Sequence, residues 1–306
     1  MLERSDVSRR DFLRLLAGTA AAPSALAAAL GVHPAEAARR TATSPGASPP
    51  HAARAVHADR LGAIGIQLYT VRDLMARDVE GTLAALARIG YREVEFAGLH
   101  GRSAREMRAI LDRLELTAPA GHVSLAEVRD DLDRVLDDAA TLGQDYVVCP
   151  YLDVAYRSRD GIKRAAEIFN RAGAAARGVG LGFAYHNHDF EFEPLPDGTL
   201  PYDLLLAETD PALVRMEMDL FWITKGGGDP LAYFARHAGR FPLVHVKDLS
   251  ADGAMVNVGE GTIDFAKIFA RAEQAGIRHY FVEHDQPAAP LDDARVSYTY
   301  LRRLEF

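Results

Sequence analysis

The chain has almost no cysteine, no excess of basic charge and no long apolar run. Each shortage closes off a class of protein. The single cysteine, Cys149, excludes an internal disulfide. It ends the apolar stretch Tyr146-Val147-Val148 and reads as a buried core residue rather than a reactive thiol. Lys and Arg number 35 against 43 Asp and Glu, a formal net charge of −8. Nucleic-acid binding is driven by basic groups on phosphates, so no nucleic-acid partner is expected. The alanine-rich stretch from Leu15 to Leu30 is broken by Pro23 and falls short of the ~20 apolar residues of a membrane-spanning helix. The glycine run Gly226-Gly227-Gly228 lacks the following Lys-Ser/Thr of a phosphate-binding loop and reads first as a flexible loop. No repeat of solenoid period is evident.

What is present begins with Ser8-Arg9-Arg10-Asp11-Phe12-Leu13, directly before that alanine-rich stretch. This opening resembles a bacterial twin-arginine export signal, which is an address read by a receptor and not an anchor. Ala35-Glu36-Ala37 fits a small-x-small cleavage pattern, which places the signal at residues 1–37. The resemblance implies the twin-arginine export machinery as a partner, no stable membrane anchor, and a periplasmic or secreted protein. That route carries proteins already folded, often with a cofactor in place. Residues 38–58 are rich in Ala, Ser, Pro and Arg without hydrophobic period, and read as a disordered linker. The folded domain is then expected over 59–306.

Over that span short apolar segments alternate with longer amphipathic ones. Strands are predicted at 63–69, 91–97, 116–122, 145–150, 181–187, 213–219, 241–247 and 279–285. Helices are predicted near 78–89, 103–114, 124–142, 160–178, 201–207, 229–237, 262–275 and 291–303. Gly90, Gly143, Gly180 and Gly276 stand where helix C-caps would precede the next strand. Eight strand–helix pairs in a domain of this size predict the α/β class, as a (β/α)8 TIM barrel. The rival, a doubly wound sheet, would use fewer strands and a Gly-rich loop after the first one.

Barrel chemistry sits at the C-terminal ends of the strands. Polar residues cluster there: Gln67, Glu95, His122, His186 and His188, Asp219 with Trp222 beyond it, His245 and Lys247, and Glu283 with Asp285. Strand side chains alternate between faces. His186 and His188 therefore share a face, with Asn187 turned away, and Glu217 shares the face of Asp219 one layer deeper. Imidazoles and carboxylates on separate strands make a mixed N/O set suited to one divalent ion such as Mn, Co, Zn or Fe.

Several segments carry a resemblance. They are Gly65-Ile66-Gln67-Leu68-Tyr69, Val94-Glu95-Phe96-Ala97-Gly98, Tyr185-His186-Asn187-His188-Asp189-Phe190, Met218-Asp219-Leu220-Phe221-Trp222, His245-Val246-Lys247-Asp248 and Val258-Gly259-Glu260-Gly261-Thr262-Ile263-Asp264. In this order they resemble the sugar phosphate isomerase/epimerase family, the xylose isomerase-like TIM barrels. The resemblance covers about residue 61 to the C-terminus. It implies one divalent metal held by strands five to eight through Glu, Asp, His and Glu. Asp219, His245 and Glu283 match three of those places, while His186 stands where many members carry Glu. Inosose dehydratases resemble the chain in having a His-rich fifth strand. Glu191, five residues on, stays open as an alternative ligand or base.

The resemblance implies a divalent-metal-dependent sugar isomerase or epimerase. It would abstract the proton α to the carbonyl of a keto- or aldo-sugar, or of a cyclic polyol ketone. Glu283 is the expected base and His188 or Lys247 its acid partner; Gln67, Glu95, His122 and Trp222 are expected to contact substrate. A dehydratase, lyase or hydrolase acting on inosose-like or 3-keto-glycoside substrates shares the same first step and stays open. A non-catalytic periplasmic sugar binder is the other alternative. Endonuclease members of the wider superfamily need several zinc ions and a basic DNA face, which an acidic chain does not offer. Family barrels often associate, which leaves a homo-oligomer open.

Overall fold

The computed structural model describes residues 60–306. The expected export signal and linker, residues 1–37 and 38–58, lie outside the described residues. Eight short parallel strands pair side by side until the last meets the first. They are β1 Gly65–Gln67, β2 Glu93–Phe96, β3 Thr117–His122, β4 Tyr146–Cys149, β5 Gly182–His186, β6 Val214–Asp219, β7 Leu243–Val246 and β8 His279–Val282. The order around the sheet is β1-β8-β7-β6-β5-β4-β3-β2, a closed barrel with no free edge. All eight predicted strands are present within the expected spans, each somewhat shorter.

Local signals set the helices between them. Ser103 and Ser124 each start a helix with a capping box, closed by Glu106 and Glu127. Asp78 and Ser158 cap the helices Val79–Ile89 and Arg159–Gly178, and Pro201 and Pro230 open two more. Gly90, Gly143, Gly180 and Gly276 all have positive φ, as a left-handed helix exit requires. Two predicted helices are each divided. The stretch 124–142 breaks at Asp131, whose backbone leaves the helical region (φ −142°), into Leu125–Asp130 and Leu132–Leu142. The stretch 262–275 yields only Phe265–Phe269 and Ala272–Ala275. A helix the sequence reading missed, Leu220–Lys225, starts directly from the end of β6 with Asp219 as its N-cap. Among the described residues no helix is long and apolar enough to cross a membrane.

The apolar core lies mainly between the strands and the helix layer, where Val94, Val147, Tyr185, Met218, Val244 and Val246 point outward. Cys149 is fully buried there, and burial pushes its thiol up to about 12, so it is inert as the sequence reading expected. Inside the barrel a small separate cluster of Ala120, Val148, Ala184, Leu243 and Phe281 fills one layer. Toward the C-terminal ends the interior turns polar and charged: Gln67, Glu95, His122, His186, Glu217, Asp219, His245, Lys247 and Glu283 are all buried. The barrel is thus plugged by hydrocarbon below and by ionisable groups above.

Candidate active site

Pairing register assembles the upper layer. Asp219 on β6 is in register with His245 on β7, and His186 on β5 with Glu217 on β6. Asn187 turns sideways, as expected, and its Oδ1 accepts from the Asp219 N–H at 3.1 Å, locking the end of β5 to the end of β6. Asp219 has two duties. Its Oδ1 accepts from the Trp222 N–H at 2.9 Å, capping the next helix, while its Oδ2 faces Lys247 Nζ at 3.0 Å.

Lys247 stands among three carboxylates. Its ammonium is 2.6 Å from Glu283 Oε2, 2.8 Å from Asp285 Oδ1 and 3.0 Å from Asp219 Oδ2. Burial opposes that charge, but Asp219, Asp285 and Glu283 together hold Lys247 well above its ordinary value. Burial likewise opposes the charge on Glu283, yet Lys247 and His245 beside it keep its carboxyl well below the usual range. Asp219 is raised to about 6 by burial, offset in part by Lys247 and His245. His245 Nδ1 lies 2.7 Å from Glu283 Oε2, and its Nε2 lies 2.6 Å from Glu95 Oε2. With carboxylates Glu217, Glu95 and Glu283 around it, His245 is driven well above its ordinary pKa despite its burial. His186 goes the other way, lowered to about 3 by burial and by the charge on His245.

These side chains fit a divalent ion. Ligand atoms of Asp219, His245 and Glu283 lie within 4.8 Å of one another, as do those of His122, His186, Glu217 and His245. His186 Nε2 reaches to 3.6 Å from Asp219 Oδ2, so it borders the first group from below. The two oxygens that grip Lys247, Asp219 Oδ2 and Glu283 Oε2, are therefore already gathered around a cation. Mixed imidazole and carboxylate donors of this kind suit Mn, Co, Zn or Fe.

The remaining expected site residues fall in different places. His188 is half-buried and its ring lies among Tyr151, Phe190 and Trp222, at centroid distances of 5.1, 6.1 and 5.6 Å. Trp222 also lies 5.8 Å from Lys247 Nζ, so aromatic faces and an ammonium share one side of the cluster. Gln67 and Glu95 are fully buried: Gln67 donates to Glu95 Oε2 at 2.8 Å and accepts from the Tyr69 N–H at 3.0 Å. Their polar atoms serve the protein, beneath His245. His122 Nε2 donates to Glu217 Oε2 at 2.9 Å, within the same buried cluster. Glu191, the alternative to His186, binds the Tyr185 hydroxyl and the His188 N–H (2.8 Å) and belongs to neither ligand group. Tyr185 projects to the outer face of the barrel and takes Glu191 with it.

Two residues gain roles that the sequence reading did not give them. Glu217 is the hub of the deep layer, its Oε2 within 3.2 Å of nitrogens of His122, His186 and His245. Asp248 organises a loop: its carboxylate accepts from the N–H groups of Gly259 (2.9 Å), Gly261 (3.0 Å) and Ile263 (3.2 Å). A Cβ at Gly261 would lie 2.2 Å from Asp248 Oδ1, which explains the glycine. The His-x-Lys-Asp and Gly-x-Gly-x-Ile-Asp segments are thus linked parts of one scaffold.

A closed parallel eight-stranded barrel with ionisable groups at the C-terminal strand ends defines a class of (β/α)8 enzyme folds. The family model of the xylose isomerase-like TIM barrel matches residues 83–304, and the chain belongs to that family. The chain is similar to the solved structure of a sugar phosphate isomerase/epimerase from Parabacteroides distasonis ATCC 8503, with 26% identity and a TM-score of 0.70 over 81% of this chain and 95% of that one. A xylose isomerase-like TIM barrel protein from Mycobacterium smegmatis, solved in complex with magnesium, shares the fold at 16% identity and a TM-score of 0.62, over 79% and 96% of the two chains. Inosose dehydratase of Geobacillus kaustophilus (strain HTA426) is 30% identical over 124 residues, spanning 33% of this chain and 40% of that protein. The match thus takes in less than half of the curated relative.

Proposed function

We propose that the protein is a divalent-metal-dependent sugar isomerase or epimerase. Its substrate is a keto- or aldo-sugar, or a cyclic polyol ketone, from which it removes the proton α to the carbonyl. The observation that carries this reading is the grouping of Asp219, His245 and Glu283 at the ends of β6, β7 and β8, beside Lys247. Asp219, His245 and Glu283 hold the ion, with His186 completing the set. When bound, the ion supplies Lewis-acid polarisation of the carbonyl and stabilises negative charge on its oxygen. The magnesium-bound relative of the same fold supports a divalent ion here.

The electrostatics divide the labour among the chain's own groups. Glu283 stays ionised between Lys247 and His245, which suits a ligand better than a base. Lys247, held protonated by Asp219, Asp285 and Glu283, supplies positive charge and hydrogen bonds to a substrate oxygen rather than a readily released proton. That leaves His188, half-buried beside Trp222, as the proton acceptor. Trp222 offers an apolar face to a sugar ring. Return of the proton to the opposite face gives an epimer, and to the neighbouring carbon an isomer. Loss of the β-hydroxyl gives dehydration instead. The stretch shared with inosose dehydratase and the imidazole at His186 favour dehydration as the second reading. The expected twin-arginine signal supports free or glycosidic sugars over cytoplasmic sugar phosphates.

The test is NMR in D₂O with a panel of keto- and aldo-sugars, inososes and 3-keto-glycosides. Deuterium wash-in at a carbon next to the carbonyl is the expected result. A panel without exchange or conversion would contradict the reading.

A further inference from the structure

Three imidazoles converge on one oxygen that the proposed reaction does not use. Glu217 Oε2 lies 2.9 Å from His122 Nε2, 3.2 Å from His186 Nδ1 and 3.2 Å from His245 Nε2. Its other oxygen, Oε1, is buried without a hydrogen-bond partner. Glu217 is fully buried, one inward position below Asp219 on the same strand. A buried carboxylate in that position costs free energy unless its surroundings use the charge. Glu95 repeats the arrangement beside it, with Oε2 at 2.6 Å from His245 Nε2 and Gln67 behind it.

We propose that Glu217 is a positioning residue of the metal centre, which with Glu95 decides which nitrogens of His186 and His245 face the ion. An imidazole that binds a metal ion does so in its neutral form, with one N–H, and the nitrogen that donates this proton to a carboxylate leaves the other as the ligand. Glu217 engages His186 through Nδ1, so Nε2 is left toward Asp219 Oδ2, 3.6 Å away. Glu95 and Glu217 engage His245 through Nε2, so Nδ1 is left toward Glu283 Oε2, 2.7 Å away. The two remaining nitrogens, His186 Nε2 and His245 Nδ1, thereby point to the Asp219–Glu283 side, the latter within hydrogen-bond distance of Glu283. His122 holds the hub in place: its ring stacks on His245 at 5.3 Å and 13° while its Nε2 engages Glu217. His122 and Glu95, expected to grip substrate hydroxyls, belong on this account to the support beneath the ligands.

The role rests on the metal-dependent reading, and its test separates the two. Metal-free protein is titrated with Co²⁺, followed by visible absorption, for the wild type and for Glu217→Gln, Glu95→Gln and Asp219→Asn. Thermal melting of each metal-free protein is recorded alongside. In Glu217→Gln the Co²⁺ dissociation constant is expected to rise about 10- to 100-fold with a shifted d–d band, one ion still binding per chain. Glu95→Gln is expected to give a smaller rise in the same direction, and it carries the test if Glu217→Gln does not fold. Unchanged affinity and spectrum in both variants would overturn the positioning role. So would complete loss of Co²⁺ in Glu217→Gln with binding kept in Asp219→Asn, because Glu217 would then be a ligand itself. Wild-type protein that takes up no Co²⁺ would overturn the metal-dependent function, and this role with it.

Discussion

The barrel carries a histidine–carboxylate contact at each end, and the two ends are built differently. At the N-terminal end, His279 begins β8 and Glu93 begins β2, and His279 Nδ1 meets Glu93 Oε2 at 3.0 Å. Asp145 stands beyond it at 3.8 Å, largely in solvent. At the C-terminal end, His245 meets Glu283 at 2.7 Å, but there both ring nitrogens are engaged by carboxylates, two more imidazoles crowd in, and an ammonium faces three carboxylates. One pair satisfied locally is a structural contact. A surplus of buried charge that no packing argument requires marks a site built for a ligand.

Substitutions at the two ends sharpen that contrast. The largest effect is expected for His245→Ala, which removes a ligand from both groups. Metal content should fall to background and turnover by more than about 1000-fold. His188→Ala should slow deuterium exchange by about 10²- to 10⁴-fold while metal content stays at the wild-type level, because a proton carrier is lost and no ligand. Lys247→Met leaves the buried Asp219 and Glu283, and the half-buried Asp285, without their counter-charge. Chemical unfolding of the metal-free protein should show a loss of about 3–5 kcal/mol, reduced when a divalent ion is added to replace the ammonium. The smallest effect belongs to the other end: His279→Ala should cost about 1 kcal/mol and leave both metal content and turnover unchanged. A collapse of turnover in His279→Ala would erase the distinction between the ends.

The sequence made the barrel legible because its signals are local. Gly90, Gly143, Gly180 and Gly276 end helices with positive φ, and an apolar strand follows each. Strand ends were less legible. The spans 241–247 and 279–285 ran past the paired ladder, which stops at Val246 and Val282, because Lys247, Glu283 and Asp285 continue the apolar–polar alternation into the loops. The helix Leu220–Lys225 is hidden in the sequence because its cap, Asp219, is also the last residue of the apolar strand before it. In the site, Asp219, His245 and Glu283 were readable from their positions at strand ends. Glu217 was placed inward by alternation, yet only the pairing of His186 with Glu217 and the approach of His122 from β3 reveal its three imidazoles. Gln67 and Glu95 show the converse limit. Alternation turns them inward, but depth decides that they contact His245 and each other.

The central claim is that an ion held at the upper end of the barrel enables proton removal next to a carbonyl. It is tested most directly by deuterium exchange into the sugar that responds in the panel, before and after dialysis against a chelator, and again after return of Mn²⁺. Exchange is expected to stop on dialysis and to resume with Mn²⁺. Exchange that proceeds at the same rate in all three states would contradict the account.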